Sequence, residues 1–233
     1  MCDVIAFDAD DTLWHSETMY VAVQGEFKKM LSAYQPEDAI AETLYQTEIR
    51  NLESFGYGVK AFALSMIEAA ITLSGGQIPA RDIQRIIDLA RSMLETPLEL
   101  FDHVEDTLKA LAASHRLMVI TKGDLLDQET KLKRSLLADY FTYVEIVSDK
   151  TPEVYRAILE RHRIAPERFV MVGNSLRSDI LPVLAIGGRA VYIPYHLTWS
   201  HELSVEHDPA HDGYYEIEHL GLLPALIEEM CGG

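Results

Sequence analysis

The stretch VIAFDADDT, residues 4–12, joins a short apolar run directly to clustered carboxylates. An apolar run that opens into acidic residues is typical of a buried parallel strand with chemistry at its carboxyl end. Side chains two residues apart on an extended segment point to the same side, so Asp8 and Asp10 are expected to face one pocket. Two carboxylates there repel each other unless a positive group lies between them or one holds a proton. The stretch therefore predicts a site for a hard divalent cation, with one Asp available as a nucleophile and its neighbour for proton transfer.

Composition and charge narrow the classes of protein to consider. The 233 residues carry a net charge of −17 at pH 7, which disfavours nucleic acid or an anionic membrane as a partner. No apolar run reaches the roughly 18 residues that a membrane span needs, and Asp3 and Asp8 interrupt any apolar signal segment. Cys2 and Cys231 have neither metal-ligand spacing nor partners for a disulfide framework. We therefore expect a cytoplasmic protein with reduced thiols.

A long helical block follows the first strand. Between Trp14 and Pro97, apolar residues recur at helical spacing in four segments, and no strand pattern interrupts them. This block predicts a compact helical bundle inserted into another domain. We expect residues 16–97 to form the helical domain, and residues 1–15 together with 98–233 to form an α/β domain.

The rest of the chain alternates between strand and helix patterns. Four further strands are predicted, at residues 117–120, 143–147, 169–172 and 190–193, with helices between them, one of which begins at Ser178 or Asp179. One helix start is well marked, because Thr151 suits an N-cap and Pro152 the first turn. Strands that alternate with helices at these intervals indicate a doubly wound parallel sheet with right-handed crossovers.

Polar residues stand at the carboxyl ends of several of these strands, where ligands bind in open α/β sheets. Thr121 can donate its hydroxyl to a phosphoryl oxygen, and the charge of Lys150 offsets both a phosphate and the clustered carboxylates. The loop at residues 173–179 offers the oxygen ligands that Mg²⁺ prefers, from Asn174 and Asp179. Phosphoryl transfer depends mostly on positioning and charge neutralisation, and this set of side chains supplies both.

The pentapeptide at residues 8–12 resembles the DxDxT motif of the haloacid dehalogenase superfamily, in its magnesium-dependent phosphatase branch. The later strand ends resemble the other three motifs in the same order, and the helical block resembles the α-helical cap between the first and second motifs. The resemblance implies a Rossmann-like core and an aspartyl-phosphate intermediate on Asp8. It implies that Asp10 is the general acid and later the base, and that Thr121 and Lys150 hold the phosphate. It also implies an Mg²⁺ cofactor, with these ligands: Asp8, Asp10, Asn174 and Asp179.

Asn174 departs from the family pattern, which usually carries an acidic residue at this position. An amide oxygen can still bind Mg²⁺, but the site has one negative charge fewer. The departure keeps open a metal-free 2-haloacid dehalogenase and a relative that binds or accepts phosphate without turnover. Receiver modules of response regulators also combine acidic residues, Thr and Lys, but they are about half this length and lack a helical insertion.

The leading hypothesis from the sequence is a hydrolase that removes phosphate from a small phosphorylated metabolite. The sequence leaves open the identity of that metabolite and the oligomeric state. Asp10 favours a phosphatase over a dehalogenase, since an acid/base next to the nucleophile serves a phosphate leaving group.

Overall fold

A computed structural model describes residues 2–197, 199–203 and 212–231. The chain divides into two compact units. One unit combines Met1–Glu17 with Leu98–Gly233, and the other is the continuous segment Thr18–Pro97.

The first unit contains a six-stranded sheet in which every neighbouring pair of strands is parallel. The strands are β1 Val4–Phe7, β2 Arg116–Lys122, β3 Tyr143–Val147, β4 Phe169–Gly173, β5 Arg189–Tyr192 and β6 Tyr214–Glu216. They follow the spatial order β3-β2-β1-β4-β5-β6, so β1 lies between β2 and β4. The predicted doubly wound parallel sheet is confirmed.

Both faces of the central strands are buried, which explains their continuous apolar sequence. In β1, Ile5 and Phe7 pack into one apolar cluster, whereas Val4 and Ala6 pack into a second cluster. The same alternation along β2 and β4 divides their side chains between the two clusters. This sandwiched position fixes the end of β1, and therefore Asp8, at the middle of the sheet edge.

Ten α-helices lie within the described residues. Their bounds are α1 Glu17–Leu31, α2 Glu37–Phe55, α3 Val59–Leu73, α4 Ala80–Glu95, α5 Val104–Ala112, α6 Leu125–Arg134, α7 Pro152–His162, α8 Leu181–Leu184, α9 Ser200–Leu203 and α10 Leu223–Cys231. The helix start at Thr151 is confirmed, because the Thr151 side chain accepts a hydrogen bond from the Val154 N–H.

The second unit is helical throughout and has its own apolar core. Phe27 of α1, Ile40 of α2, Met66 of α3 and Ile86 of α4 are all fully buried in one cluster. Apolar residues at helical spacing therefore pack within the unit.

Two elements differ from the sequence-based expectation. The predicted helix beginning at Ser178 or Asp179 is instead a π-helical turn, Leu176–Ile180, followed by the short α8. The strand β6 was not predicted, because its three residues, two of them half-buried tyrosines, carry no apolar run.

The expectation of two reduced thiols is wrong for this structure. Cys2 and Cys231 form a disulfide with a Cα–Cα distance of 5.4 Å. Cys2 lies two residues before the start of β1, and α10 packs through Leu223 and Ile227 onto the same apolar cluster as β1, which brings the two cysteines together. No spacing signal marks this pair, because 229 residues separate the two cysteines along the chain. No described helix is long and apolar enough to cross a membrane.

Candidate active site

Asp8 lies at the carboxyl end of the central strand. Its backbone N–H donates to the Val172 carbonyl of β4 at 2.9 Å, which extends the pairing of the strands by one residue. On the other side, Phe7 pairs with Val119 of β2, so Thr121 is two residues further along the neighbouring strand. Asp8 and Thr121 are both almost completely buried. The parallel register therefore brings the ends of three strands together around Asp8.

Lys150 is the positive centre of this cluster. It directly precedes the N-cap of α7, and only 4% of it is exposed. Its Nζ lies 2.5 Å from Asp8 Oδ1 and 2.6 Å from Asp179 Oδ1. The Lys150 ammonium group therefore bridges two buried carboxylates. Asp8 directly follows β1, and Asp179 lies in the turn after β4.

The electrostatics of the cluster follow from burial and charge pairing. Burial raises the pKa of Asp8 to about 7, and Asp179 adds to this, while the charge of Lys150 opposes it. Burial alone would lower the pKa of Lys150, but the carboxylates of Asp179 and Asp8 raise it above its ordinary value. Lys150 therefore stays charged, with the Asp8 and Asp179 carboxyl groups on either side of it.

Oxygen atoms for a cation converge beside Asp8. The Thr12 hydroxyl lies 3.1 Å from Asp8 Oδ2 and 3.3 Å from Asn174 Oδ1, so these two oxygens approach the same point from different strands. Asp179 is less available as a cation ligand, because its Oδ1 pairs with Lys150 Nζ and its Oδ2 accepts a hydrogen bond from the Ser175 N–H at 3.0 Å. Among the described residues, no group of three or more His, Cys, Asp or Glu side chains is arranged to hold a metal.

Asp10 is held by a separate set of donors. Its Oδ1 accepts a hydrogen bond from Trp14 Nε1 at 2.7 Å, and its Oδ2 accepts one from Gln128 Nε2 at 2.8 Å. Lys131 Nζ lies 3.0 and 3.1 Å from the two oxygens. Burial would raise the pKa of Asp10, but Lys131, Gln128 and Trp14 together lower it, so the carboxylate is ionised. Both carboxylate oxygens of Asp10 are therefore engaged by donors from the chain itself.

The neighbouring Asp11 has a local structural task. It adopts a positive φ of 63° and accepts hydrogen bonds from the backbone N–H groups of Ser16 and Glu17, at 2.9 to 3.1 Å. N–H groups at the start of a helix need acceptors from outside the helix, so Asp11 stabilises the beginning of α1. Burial raises the pKa of Asp11 to about 7.

Gly173 makes room for the Asp179 side chain. A Cβ at position 173 would lie 2.3 Å from Asp179 Oδ2, far inside van der Waals contact. We therefore expect Gly173→Ala to displace that carboxylate from Lys150 and to lower the free energy of unfolding by about 1–3 kcal/mol. Urea denaturation measures this change. Gly25→Ala is the matched control, because a Cβ there meets nothing within 4 Å and Gly25 lies inside α1, where Ala is favoured. Equal stability of the two variants would contradict the expectation.

Two groups of functional candidates were missed from the sequence. The first is the pair Gln128 and Lys131 on α6, which contacts Asp10. The signal was present, because Gln128 shares a helix face with Leu132, so this polar side chain occupies a position where an apolar one is expected. The second is Glu202 of α9, whose carboxylate accepts from Lys122 at 2.5 Å and from Ser178 at 2.7 Å. No motif or periodicity marks Glu202 in the sequence.

Glu202 secures the short helix α9 to the loops around the site. Besides Lys122 and Ser178, its carboxylate accepts a hydrogen bond from the Ser175 hydroxyl. Burial would raise the pKa of Glu202, but the charge of Lys122 and these hydrogen bonds lower it to about 2. Glu202 is therefore a fully ionised anchor. In the sequence, His196, His201, His207 and His211 form a loose cluster without a zinc-ligand spacing, and His207 and His211 lie outside the described residues.

One known protein family matches most of this chain. The family described as haloacid dehalogenase-like hydrolase matches residues 2–187. A haloacid dehalogenase-like family hydrolase from Xanthomonas campestris has a solved structure that superimposes with a TM-score of 0.89 at 40% identity, covering 99% of this chain and 92% of that one.

Two curated relatives are named glyceraldehyde 3-phosphate phosphatase. The protein from Pyrococcus abyssi is 26% identical over 212 residues, which are 84% of this chain and 82% of that protein. The protein from Pyrococcus furiosus is 32% identical over 82 residues, which span 33% of this chain and only 34% of that protein. With the matched family covering the whole segment from β1 to the end of α8, this chain belongs to the haloacid dehalogenase-like hydrolases.

Proposed function

We propose that this chain is a magnesium-dependent phosphatase that hydrolyses a small phosphorylated metabolite. The observation that carries the proposal is the buried ammonium of Lys150, which bridges Asp8 and Asp179 at the carboxyl edge of the sheet. Such a group can hold a nucleophilic carboxylate in place and offset the charge of an incoming phosphate. The names of the Pyrococcus relatives make glyceraldehyde 3-phosphate the first candidate substrate to test.

In the first step, an oxygen of Asp8 attacks phosphorus while the bond from phosphorus to the leaving-group oxygen breaks. Asp10 delivers a proton to that oxygen. A phosphate monoester has a second pKa of about 6, so part of the substrate binds as a monoanion that still carries a proton. Asp10 is ionised in the structure, and it takes up this proton before passing it to the leaving-group oxygen. Thr121 donates its hydroxyl to a phosphoryl oxygen.

In the second step, water attacks phosphorus and Asp10 takes a proton from it, which releases inorganic phosphate and regenerates the Asp8 carboxylate. The low pKa of Asp10 suits this role, because only the ionised carboxylate can accept a proton. We further propose that the helical unit Thr18–Pro97 is the cap, because it is inserted between β1 and β2, whose ends carry Asp8 and Thr121.

The donor set beside Asp8 fits a hard cation. Asp8 Oδ2 and Asn174 Oδ1 converge on the Thr12 hydroxyl, and all three of these atoms are oxygens. Mg²⁺ takes a few such oxygens and keeps several waters. When bound, it neutralises phosphoryl charge. Asp179 would contribute by holding Lys150, or as a ligand after giving up one of its present hydrogen bonds.

Asn174 is expected to limit the affinity for the metal. Asn174→Asp adds a carboxylate where an amide oxygen now lies, so we expect the Mg²⁺ concentration for half-maximal activity to fall about tenfold, because ligand charge sets affinity at such sites. Titration of activity with Mg²⁺ measures the change, with Asn174→Ala as the control that loses the oxygen. If neither variant shifts the titration, Asn174 is not a ligand.

The proposal is tested by phosphate release from p-nitrophenyl phosphate and from glyceraldehyde 3-phosphate, with Mg²⁺ and with EDTA. Turnover that requires Mg²⁺ supports a metal-dependent phosphatase. A parallel assay follows chloride release from 2-chloropropionate. Chloride release that persists in EDTA would identify a metal-free dehalogenase instead. A single phosphorylation without turnover would identify a phospho-accepting relative.

A further inference from the structure

Helix α6 supplies most of the contacts that hold the Asp10 carboxylate. Gln128 and Lys131 stand three residues apart on its buried face, and both reach Asp10 across more than a hundred residues of sequence. Trp14, from the loop that follows β1, completes the set. The two carboxylate oxygens therefore receive donors from two separate parts of the chain.

We propose that Gln128 and Lys131 are positioning residues that orient the Asp10 carboxylate for proton transfer at the leaving-group oxygen. This inference rests on the proposed phosphatase function, in which Asp10 is the acid and base. It assigns a role to α6 that neither the motifs nor the comparisons provide.

The orientation of the Gln128 amide is fixed by its partners. Its Nε2 donates to Asp10 Oδ2 at 2.8 Å and to the main-chain carbonyl of Lys122 at 3.1 Å, and both partners only accept. A flipped amide would place Oε1 against two acceptors. The buried Oε1 atom has no hydrogen-bond donor among the described residues. An apolar side chain would avoid that cost, so the stability of α6 does not account for a Gln at this position.

Burial of the charged Lys131 side chain likewise costs free energy, and the side chain is held in place. Only 8% of it is exposed, and Asp127, one turn earlier on α6, lies 3.6 Å from its Nζ. Asp127 thus directs the ammonium toward Asp10 from the side of the helix. A buried ion pair gives little net stability compared with apolar packing, which again favours a role in geometry.

The start of α6 is itself fixed next to the sheet. The Asp124 side chain accepts a hydrogen bond from the Asp127 N–H and caps the helix. Gly123, with a φ of +142°, lets Gln128 pack against the chain, since a Cβ there would lie 3.0 Å from Gln128 Nε2. The same β2 strand that ends in Thr121 and Lys122 therefore sets the position of the pair that contacts Asp10.

Proton transfer requires the donor to lie within hydrogen-bond distance of the leaving-group oxygen, so a rotated carboxylate loses much of its effect. The loss depends on the leaving group. Phenyl phosphate and p-nitrophenyl phosphate differ only in the nitro group, yet phenolate is the poorer leaving group and needs the proton more. The value of kcat/KM reports the steps up to phosphoenzyme formation, and the second step is common to both substrates.

The experiment measures kcat/KM of the full chain for both aryl phosphates with Gln128→Met, Lys131→Met and Lys131→Arg. We expect the two Met variants to lose about 10- to 100-fold more activity on phenyl phosphate than on p-nitrophenyl phosphate, within the usual contribution of general acid catalysis. Lys131→Arg is expected to recover part of the loss. Lys133→Met is the matched control, because Lys133 lies exposed on the same helix.

A double-mutant cycle separates positioning from damage to the fold. If Lys131 acts through Asp10, Lys131→Met should change kcat/KM less than twofold in an Asp10→Asn background. Equal losses on both substrates, or additive effects in the cycle, would overturn the inference while leaving the phosphatase intact. Gln128→Met leaves every charge in place and gives the same readout if Lys131→Met does not fold. A wild-type chain that hydrolyses neither substrate would instead contradict the proposed function.

Discussion

An Asp8→Asn substitution is expected to lower kcat for phosphate release by about 10⁴-fold or more, the scale at which removal of a catalytic nucleophile acts. The amide cannot form the aspartyl phosphate, although it keeps the shape of the carboxylate. It also keeps an oxygen for Lys150, and the Thr12 hydroxyl can reverse its hydrogen bond to accept from the new amide. Steady-state assays with p-nitrophenyl phosphate measure the loss, and mass spectrometry tests whether a phosphorylated chain forms.

The control for Asp8→Asn is Asp11→Asn, three residues along the same loop. Asn tolerates the positive φ of Asp11 and can accept the same backbone hydrogen bonds from Ser16 and Glu17. This variant is expected to keep most of the activity. Thermal unfolding in EDTA should show both variants folded. Residual activity of Asp8→Asn above about one hundredth of wild type would exclude Asp8 as the nucleophile.

Lys150→Met is expected to produce the largest loss of stability. The variant removes the ammonium that pairs with Asp8 and Asp179 and leaves two buried carboxylates without their cation. Removal of one partner from a buried ion pair costs about 3–5 kcal/mol. In a chain of this size that corresponds to a fall in melting temperature of roughly 10 °C. Phosphatase activity should be lost as well, because the nucleophile is no longer held.

A second substitution identifies the source of this instability. Combining Lys150→Met with Asp8→Asn removes one of the two stranded charges, so the double variant should melt at a higher temperature than Lys150→Met alone. Lys133→Met removes an exposed lysine and should leave the melting temperature unchanged. If Lys150→Met melts like the wild type, the bridging ammonium does not stabilise the core.

Much of the architecture could be predicted because the same short stretches of sequence mark both a buried strand and the polar site at its end. The apolar run at Val4 and the acidic residues after it indicate a buried strand and a site at its end, and parallel strands bring such ends together. For this reason Lys150 and Asp179, distant in sequence from Asp8, could be expected near it, and the structure brings the three side chains into contact. Their catalytic roles remain predictions.

The features that escaped prediction depend on three-dimensional packing instead of local pattern. Gln128 stands out in the sequence as a polar residue on the same helix face as Leu132, but its contact with Asp10, like that of Lys131, depends on the packing of α6 beside the loop after β1. Glu202 lies in a four-residue helix, and its partners come from the end of β2 and from the turn after β4. The pairing of Cys2 with Cys231 depends on α10 packing against the cluster that contains β1.

That disulfide turns the chain between residues 2 and 231 into a covalent ring. A ring has fewer unfolded conformations than an open chain, and the chain-entropy model gives about 5 kcal/mol for a loop of this length. The ring passes through both units, so a single peptide-bond cut in the helical unit opens it without separating any fragment. A nicked molecule therefore keeps its full mass until a reductant is added.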